Sequence, residues 1–249
     1  MKVAILLLFV AAATAYPTLI EEEHLLRNSI DELVKQTLEY VRWLLKRHEP
    51  YSFPPLPEQT LVDDDVNLKF STSNVLLSKA SDFTIDKVAN NLPKLTSSFG
   101  VTVPTAHLEG TYEVTGVAFK KQVQGSGTFS VDIQNLVQTG DIQFTIIDHS
   151  LQIQDLKLDY ELAGAKFDVE GLNIEGLTKE QVEEFLNNQL IGYLNDHKAF
   201  VVEKTANHVK EVANKLLQGH SLNDVLDFLK QIVDTTPDPP PFPTFSPII

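Results

Sequence analysis

The chain has no cysteine, one methionine and one tryptophan among 249 residues. Without thiols there is no disulfide, no thiolate metal site and no cysteine nucleophile. Small secreted domains need disulfides because their cores are too small, but a chain of this length can bury enough apolar surface unaided. No asparagine stands two residues before a serine or threonine, so N-linked glycosylation is not expected. Positive charge is scarce: 20 Lys and Arg face 34 Asp and Glu, a net charge of −14. That balance disfavours nucleic acid and anionic membrane surfaces. No apolar run reaches the roughly 20 residues of a membrane span, so stable membrane insertion is not expected either.

The one apolar run opens the chain. Met1-Lys2, then Val3 to Ala13, then the small residues Ala13-Thr14-Ala15 have the order of a secretory signal peptide. The expected organisation is a signal peptide over 1–15, a single domain over 16–233 and a proline-rich flexible tail over 234–249. The mature protein is expected to be extracellular.

Hydrophobic spacing divides the domain into three stretches. Leu26, Ile30, Leu33, Val41 and Leu44 mark one face of an amphipathic helix over 20–47, which the proline-rich stretch EPYSFPPLPEQ ends. From Leu61 to Ile174 the period becomes alternating, with short polar breaks, as in a mainly antiparallel sheet. From Lys179 to Leu217 it is helical again, without proline. An unbroken helix there would be about 58 Å long, with Gly192 or Asn195 as the place for a bend. Thr178 with Gln181 forms a capping-box pattern, and a short last helix follows over 221–233. Strands grouped between helices indicate an α+β fold.

Within the strands, LEGTYEVTGVAFKKQVQGSGTFSVDI (Leu108–Ile133) places Gly110, Gly116, Gly125 and Gly127 on the apolar face of two facing strands. Glycine there forfeits packing and marks sharp bending or a close approach. Two explanations stand: the long helix comes near, or the omitted side chains leave a ligand cavity.

The same stretch, from Val103 to Asn135, resembles the takeout and juvenile hormone-binding proteins of insect haemolymph. The shared pattern is Pro104, then Leu108, Gly110, Tyr112 and Gly116, then Gly125 and Gly127. NVLLSKASDFTIDKV from Asn74 and the helix carrying FLNNQLIGYLND extend it over roughly residues 50–217. Two features depart. The family's N-terminal disulfide cannot form, and the glycine of its Asn-Val-x-x-x-Gly loop is replaced by Lys79 or Ala80. The N-terminal helix and Phe53–Pro57 look closer to group 7 mite allergens. The resemblance implies a long C-terminal helix wrapped by a highly curved antiparallel β-sheet, with an apolar tunnel that takes a small hydrophobic molecule.

Catalytic and metal signals are weak. His197 and His208, eleven positions apart in the helical stretch, are too far apart to share an ion. Ser126 lies mid-strand rather than at a nucleophile elbow, and Asp63-Asp64-Asp65 lacks the pattern of a calcium loop. No cofactor motif is present, and no enzymatic activity is expected. The expected function is a secreted carrier or scavenger of an apolar ligand such as a terpenoid or fatty acid. Inward aromatics are the candidate lining: Tyr112, Phe129, Phe144, Tyr160, Phe167, Phe185 and Tyr193. The alternative is a secreted interaction or surface-active factor of the same fold with a filled interior. Nothing in the sequence signals an oligomeric state.

Overall fold

A computed structural model describes residues 20–63, 66–188 and 190–234; the expected signal peptide and the tail from residue 235 lie outside them. Helix α1 (Ile20–Arg47) precedes the strands β1 (Tyr51–Ser52), β2 (Leu56–Asp63), β3 (Val66–Ser78), β4 (Thr84–Asn91), β5 (Thr96–Ala118), β6 (Lys121–Ile147), β7 (Ser150–Val169) and β8 (Leu172–Ile174). Helices α2 (Lys179–Asn188), α3 (Leu190–Asp196), α4 (Lys198–Leu217) and α5 (Leu222–Asp234) complete the described chain. The strands form one antiparallel sheet of order β1-β3-β5-β6-β7, with β2 on β3, β4 on β5 and β8 on β6.

The strands are far longer than alternation alone suggested. Some of the expected short polar breaks lie inside continuous strands, after Ile133 in β6 and after Leu162 in β7. They mark a crease. Pairing runs from Val103↔Leu136 to Thr105↔Gln134, and from Leu136↔Leu162 to Gln134↔Gly164, leaving Pro104, Asn135 and Ala163 unpaired in one line. Pro104 has no N–H to offer the ladder, and Asn135 takes a φ of 47°. Each strand changes its inward phase there. Val101 and Val103 face in before the crease and Ala106 and Leu108 after it; β6 and β7 change with it. The register is the same on both sides, so the crease interrupts the ladder without ending the strands.

The resulting curl can be gauged. In a flat strand, Phe119 at the β5–β6 tip would stand about 60 Å from Gln138. Gln138 pairs with Tyr160, and the Tyr160 hydroxyl donates to Leu194 O at 3.0 Å. Yet Tyr193, the neighbour of Leu194, meets Phe119 with ring centroids 4.8 Å apart. The hairpin therefore curls back until its tip rests on the helical segment.

That segment is held along the free edge of β7 by two asparagines. Asn187 of α2 accepts from Phe167 N–H at 2.8 Å and donates to Phe167 O at 3.0 Å. Asn214 of α4 does the same for Ile153, at 2.7 and 3.0 Å. Each side-chain amide substitutes for a neighbouring strand, since an edge N–H or C=O packed against a helix needs a partner. The expected single helix is interrupted at His197, whose backbone N–H and Nδ1–H both donate to Tyr193 O. The capping box at Thr178 and Gln181 forms, with contacts of 2.9 and 3.4 Å, and Ser221 with Asp224 builds a second one for α5.

Two apolar cores result. The larger gathers Val34, Leu38 and Val41 of α1, Ile142 and Phe144 of β6, Leu151 and Ile153 of β7, and Leu217, Val225 and Leu229 of α4 and α5. The smaller lies under the curled hairpin and contains Val66, Ala118, Val123, Ile174, Val182 and Leu186.

Candidate functional site

Between the cores, the register lines up Leu77, Leu108, Val131 and Phe167 in one row across β3, β5, β6 and β7. Mid-sheet apolar residues facing a closed interior are normally the most buried in a domain. These four keep partial exposure. Leu77 borders the larger core and Phe167 the smaller, while Leu108 and Val131 belong to neither. Ile133 and Leu162 share that condition. The two cores are thus joined by a band of apolar surface that neither fills.

Most of the expected lining residues stand around this band. Phe129, two residues beyond the row, and Tyr112, four residues beyond it, meet edge to face at 6.4 Å. The Tyr112 hydroxyl donates to Glu170 O at 2.8 Å, and burial pushes its pKa up. Tyr160 borders the band from β7, with Lys198 Nζ 5.4 Å from the centre of its ring. Its pKa is also raised, chiefly by burial and against the opposing charge of Lys198. Phe167 is in the row itself, and Phe185 of α2 and Tyr193 of α3 pack, like Phe167, against the smaller core. Phe144 is elsewhere: at 2 % exposure it is enclosed in the larger core.

The glycines of the hairpin have a different explanation from either expected one. A β-carbon on Gly127 would stand 2.5 Å from Glu170 O, and one on Gly125 would stand 2.8 Å from the Tyr112 hydroxyl and 3.0 Å from Gly171 O. The turn between β7 and β8 crosses there and needs the room. Gly116, at φ 142°, passes against Asn67 O, and Gly110 lies against Phe129, Ser73 O and Val75. Neighbouring strands and the β7–β8 turn occupy these positions, not the long helix and not a cavity. The position where the resembling family carries glycine is occupied by Lys79, which takes a left-handed φ of 61°. Its N–H is held by Glu49 Oε1.

Phe119 was missed by alternation, because a turn residue has no period. With Lys120 it forms the two-residue β5–β6 turn, at φ 53° and 62°. Both angles belong to a type I′ turn, which favours Asn-Gly. Bulky residues in that region cost about 1–3 kcal/mol each unless their surroundings hold them there. Phe119 meets Tyr193 at 4.8 Å and Phe185 at 5.8 Å, and Tyr193 stacks on His197 at 3.9 Å. The residue is still 37 % exposed.

On the opposite, solvent-facing side of the sheet a cleft of about 700 Å³ is lined by Lys69, Glu113, Thr115, Gln124, Ser126 and Asn173, among others. Its polar walls do not suit an apolar molecule. Among the described residues, no three His, Asp or Glu side chains are placed to hold a metal, and no helix is long and apolar enough to cross a membrane.

The chain has likenesses among known proteins, in structure and in sequence. The structure of Epiphyas postvittana Takeout 1 is similar at a TM-score of 0.45 and 16% identity, over 74% of this chain and 80% of that one. A lipopolysaccharide binding protein is similar at a TM-score of 0.32 and 12% identity, over 81% of this chain but 39% of that one. Curated protein sequences give no match. The sequence model of one family does match, over residues 4–227, nearly the whole chain. The chain belongs to the haemolymph juvenile hormone binding protein family.

Proposed function

We propose that this protein is a secreted carrier or scavenger of a small hydrophobic molecule, a terpenoid, fatty acid or other lipid, bound along the band between the two cores. The observation that carries the reading is the partly buried row Leu77–Leu108–Val131–Phe167 at the centre of the sheet. Its span is about 14 Å across four strands, comparable to an acyl chain or terpenoid. Withdrawing ~300 Å² of apolar ligand surface from water contributes about 7 kcal/mol before association costs. The family is named for binding a hormone, which favours carriage over catalysis. Tyr112, Phe129, Tyr160, Phe167, Phe185 and Tyr193 are the proposed lining, with Leu108 and Val131. Phe144 serves the larger core instead.

Native and denaturing mass spectra of the protein purified from its own secretion test this. The expected result is a native mass excess that vanishes on denaturation and releases an apolar compound. No excess, together with no uptake of an apolar fluorescent probe, would refute carriage.

A further inference from the structure

We propose that the proline-rich segment after α5 docks, within the same chain, on the Trp43 end of α1. Trp43 is the one tryptophan of the chain, and it keeps 36 % exposure on a helix whose inner face enters the larger core. It stacks on Tyr40 with ring centroids 5.9 Å apart, and the Arg47 guanidinium sits 4.9 Å from the centre of its ring. Among the described residues, the Trp43 indole N–H and the Lys46 ammonium have no hydrogen-bond or ion-pair partner. The patch therefore offers ring surface and hydrogen-bond donors.

The complement of such a patch is a segment rich in carbonyl acceptors and poor in N–H donors. Residues 235–249, TTPDPPPFPTFSPII, contain six prolines, each with a carbonyl but no N–H. Proline-rich sequences favour the polyproline II helix, which leaves its carbonyls free and docks on aromatic-lined grooves at low entropic cost. Charge agrees with this pairing. Lys46 and Arg47 make the last turn of α1 basic in a chain of net charge −14. Residues 235–249 contain Asp238 and neither Lys nor Arg.

Reach agrees as well. α5 packs against α1, and Val225, Leu229 and Ile232 share the larger core with Val34, Leu38 and Val41. The 15 residues from 235 to 249 span about 46 Å as polyproline II. α1 has 28 residues and is about 42 Å long. Trp43 is thus within reach from any point along α1. The other exposed large apolar residues among those described fit such a segment less well: Val62, Ile146 and Ile147 offer no ring, and Phe119 no side-chain donor.

The single tryptophan makes docking directly readable. In the full chain, Trp43 emission and its quenching by acrylamide are compared with those of a variant carrying Pro239→Gly, Pro240→Gly, Pro241→Gly and Phe242→Gly. Undocking should shift the emission to the red and raise the quenching constant, while far-UV circular dichroism stays unchanged. Asp238→Lys should give a smaller shift of the same sign. A fluorescein-labelled peptide of residues 235–249 should bind the glycine variant more tightly than the wild type, whose own segment competes at an effective concentration of roughly millimolar. Identical emission and quenching in the wild type and the glycine variant would overturn the proposal, as would failure of the labelled peptide to bind that variant. A red shift of the wild type on dilution, with dimer dissociation in sedimentation, also overturns it, because the segment would then dock on a second copy. Apolar-probe uptake enters none of these readouts, so each outcome is separate from the carrier reading.

Discussion

The two ends of this molecule are built from the same strands but closed in different ways. At one end, helices α1, α4 and α5 cover the sheet, and their side chains interlock with those of β6 and β7 until many are essentially inaccessible. At the other, the sheet covers itself: the hairpin curls back onto α2 and α3, burying six apolar residues among those described and finishing in a cluster of rings. The first arrangement maximises burial. The second leaves Leu108 and Val131 unclaimed between the cores. A single crease through Pro104, Asn135 and Ala163 separates the two regimes, because it turns the inward phase of three strands at once.

Substitutions at matched positions would break this contrast if it is wrong. The largest effect is expected for Leu229→Ala, at 0 % exposure in the larger core, with a loss of about 2–5 kcal/mol in urea unfolding. Val131→Ala, in the band, should cost under about 1 kcal/mol. Similar losses at both sites would mean that the band is ordinary core. Next come the two edge-holding asparagines. Asn214→Ala leaves the Ile153 N–H and C=O without partners against the larger core and should cost about 1–3 kcal/mol. Asn187→Ala, at the looser end, should cost less, and hydrogen exchange at the Phe167 amide should rise in that variant alone.

Filling the band sharpens the contrast further. Val131→Trp would be destabilising by about 1–3 kcal/mol in a packed interior. In the open band it should change stability by less than that, while cutting apolar-probe uptake at least tenfold. The smallest effect concerns acid. Asp159 is held below its usual pKa by its hydrogen bond to Lys198, at 2.5 Å. A carboxylate with a lowered folded-state pKa contributes stability that is complete above about pH 4 and is lost as pH falls through its folded value. Lys198→Met should flatten that acid limb and change neutral stability by under about 1 kcal/mol, since the pair is largely exposed. Thermal melts between pH 2 and 6 would show it.

Much of this was legible in the residues. The bounds of α1, the capping box at Thr178 and the alternating faces of Leu108–Ala118 and Val123–Ile133 follow from local period and turn chemistry, which act over a few residues. The breaks in alternation at Asn135 and Gly164 were legible too, but their meaning was not. A shift of phase looks the same in sequence whether the strand ends or creases, and only the partner strands distinguish the two. The lining was half visible: alternation places Tyr112, Phe129 and Phe167 inward, but it also places Phe144 inward and cannot say which inward residues find partners. Phe119 left no periodic signal, being a turn residue whose contacts are with Phe185 and Tyr193, more than sixty positions away in the chain.

The sequence by itself determined the order of helices and strands, the faces they bury and the family, because these depend on spacing and composition along the chain. The tertiary structure alone decided that the hairpin glycines make way for the β7–β8 turn, that Asn187 and Asn214 complete an unpaired strand edge, and that Leu108 and Val131 lie between two cores and belong to neither. Those outcomes depend on which distant segments the crease and curl bring into contact, and no local pattern encodes a distance between segments.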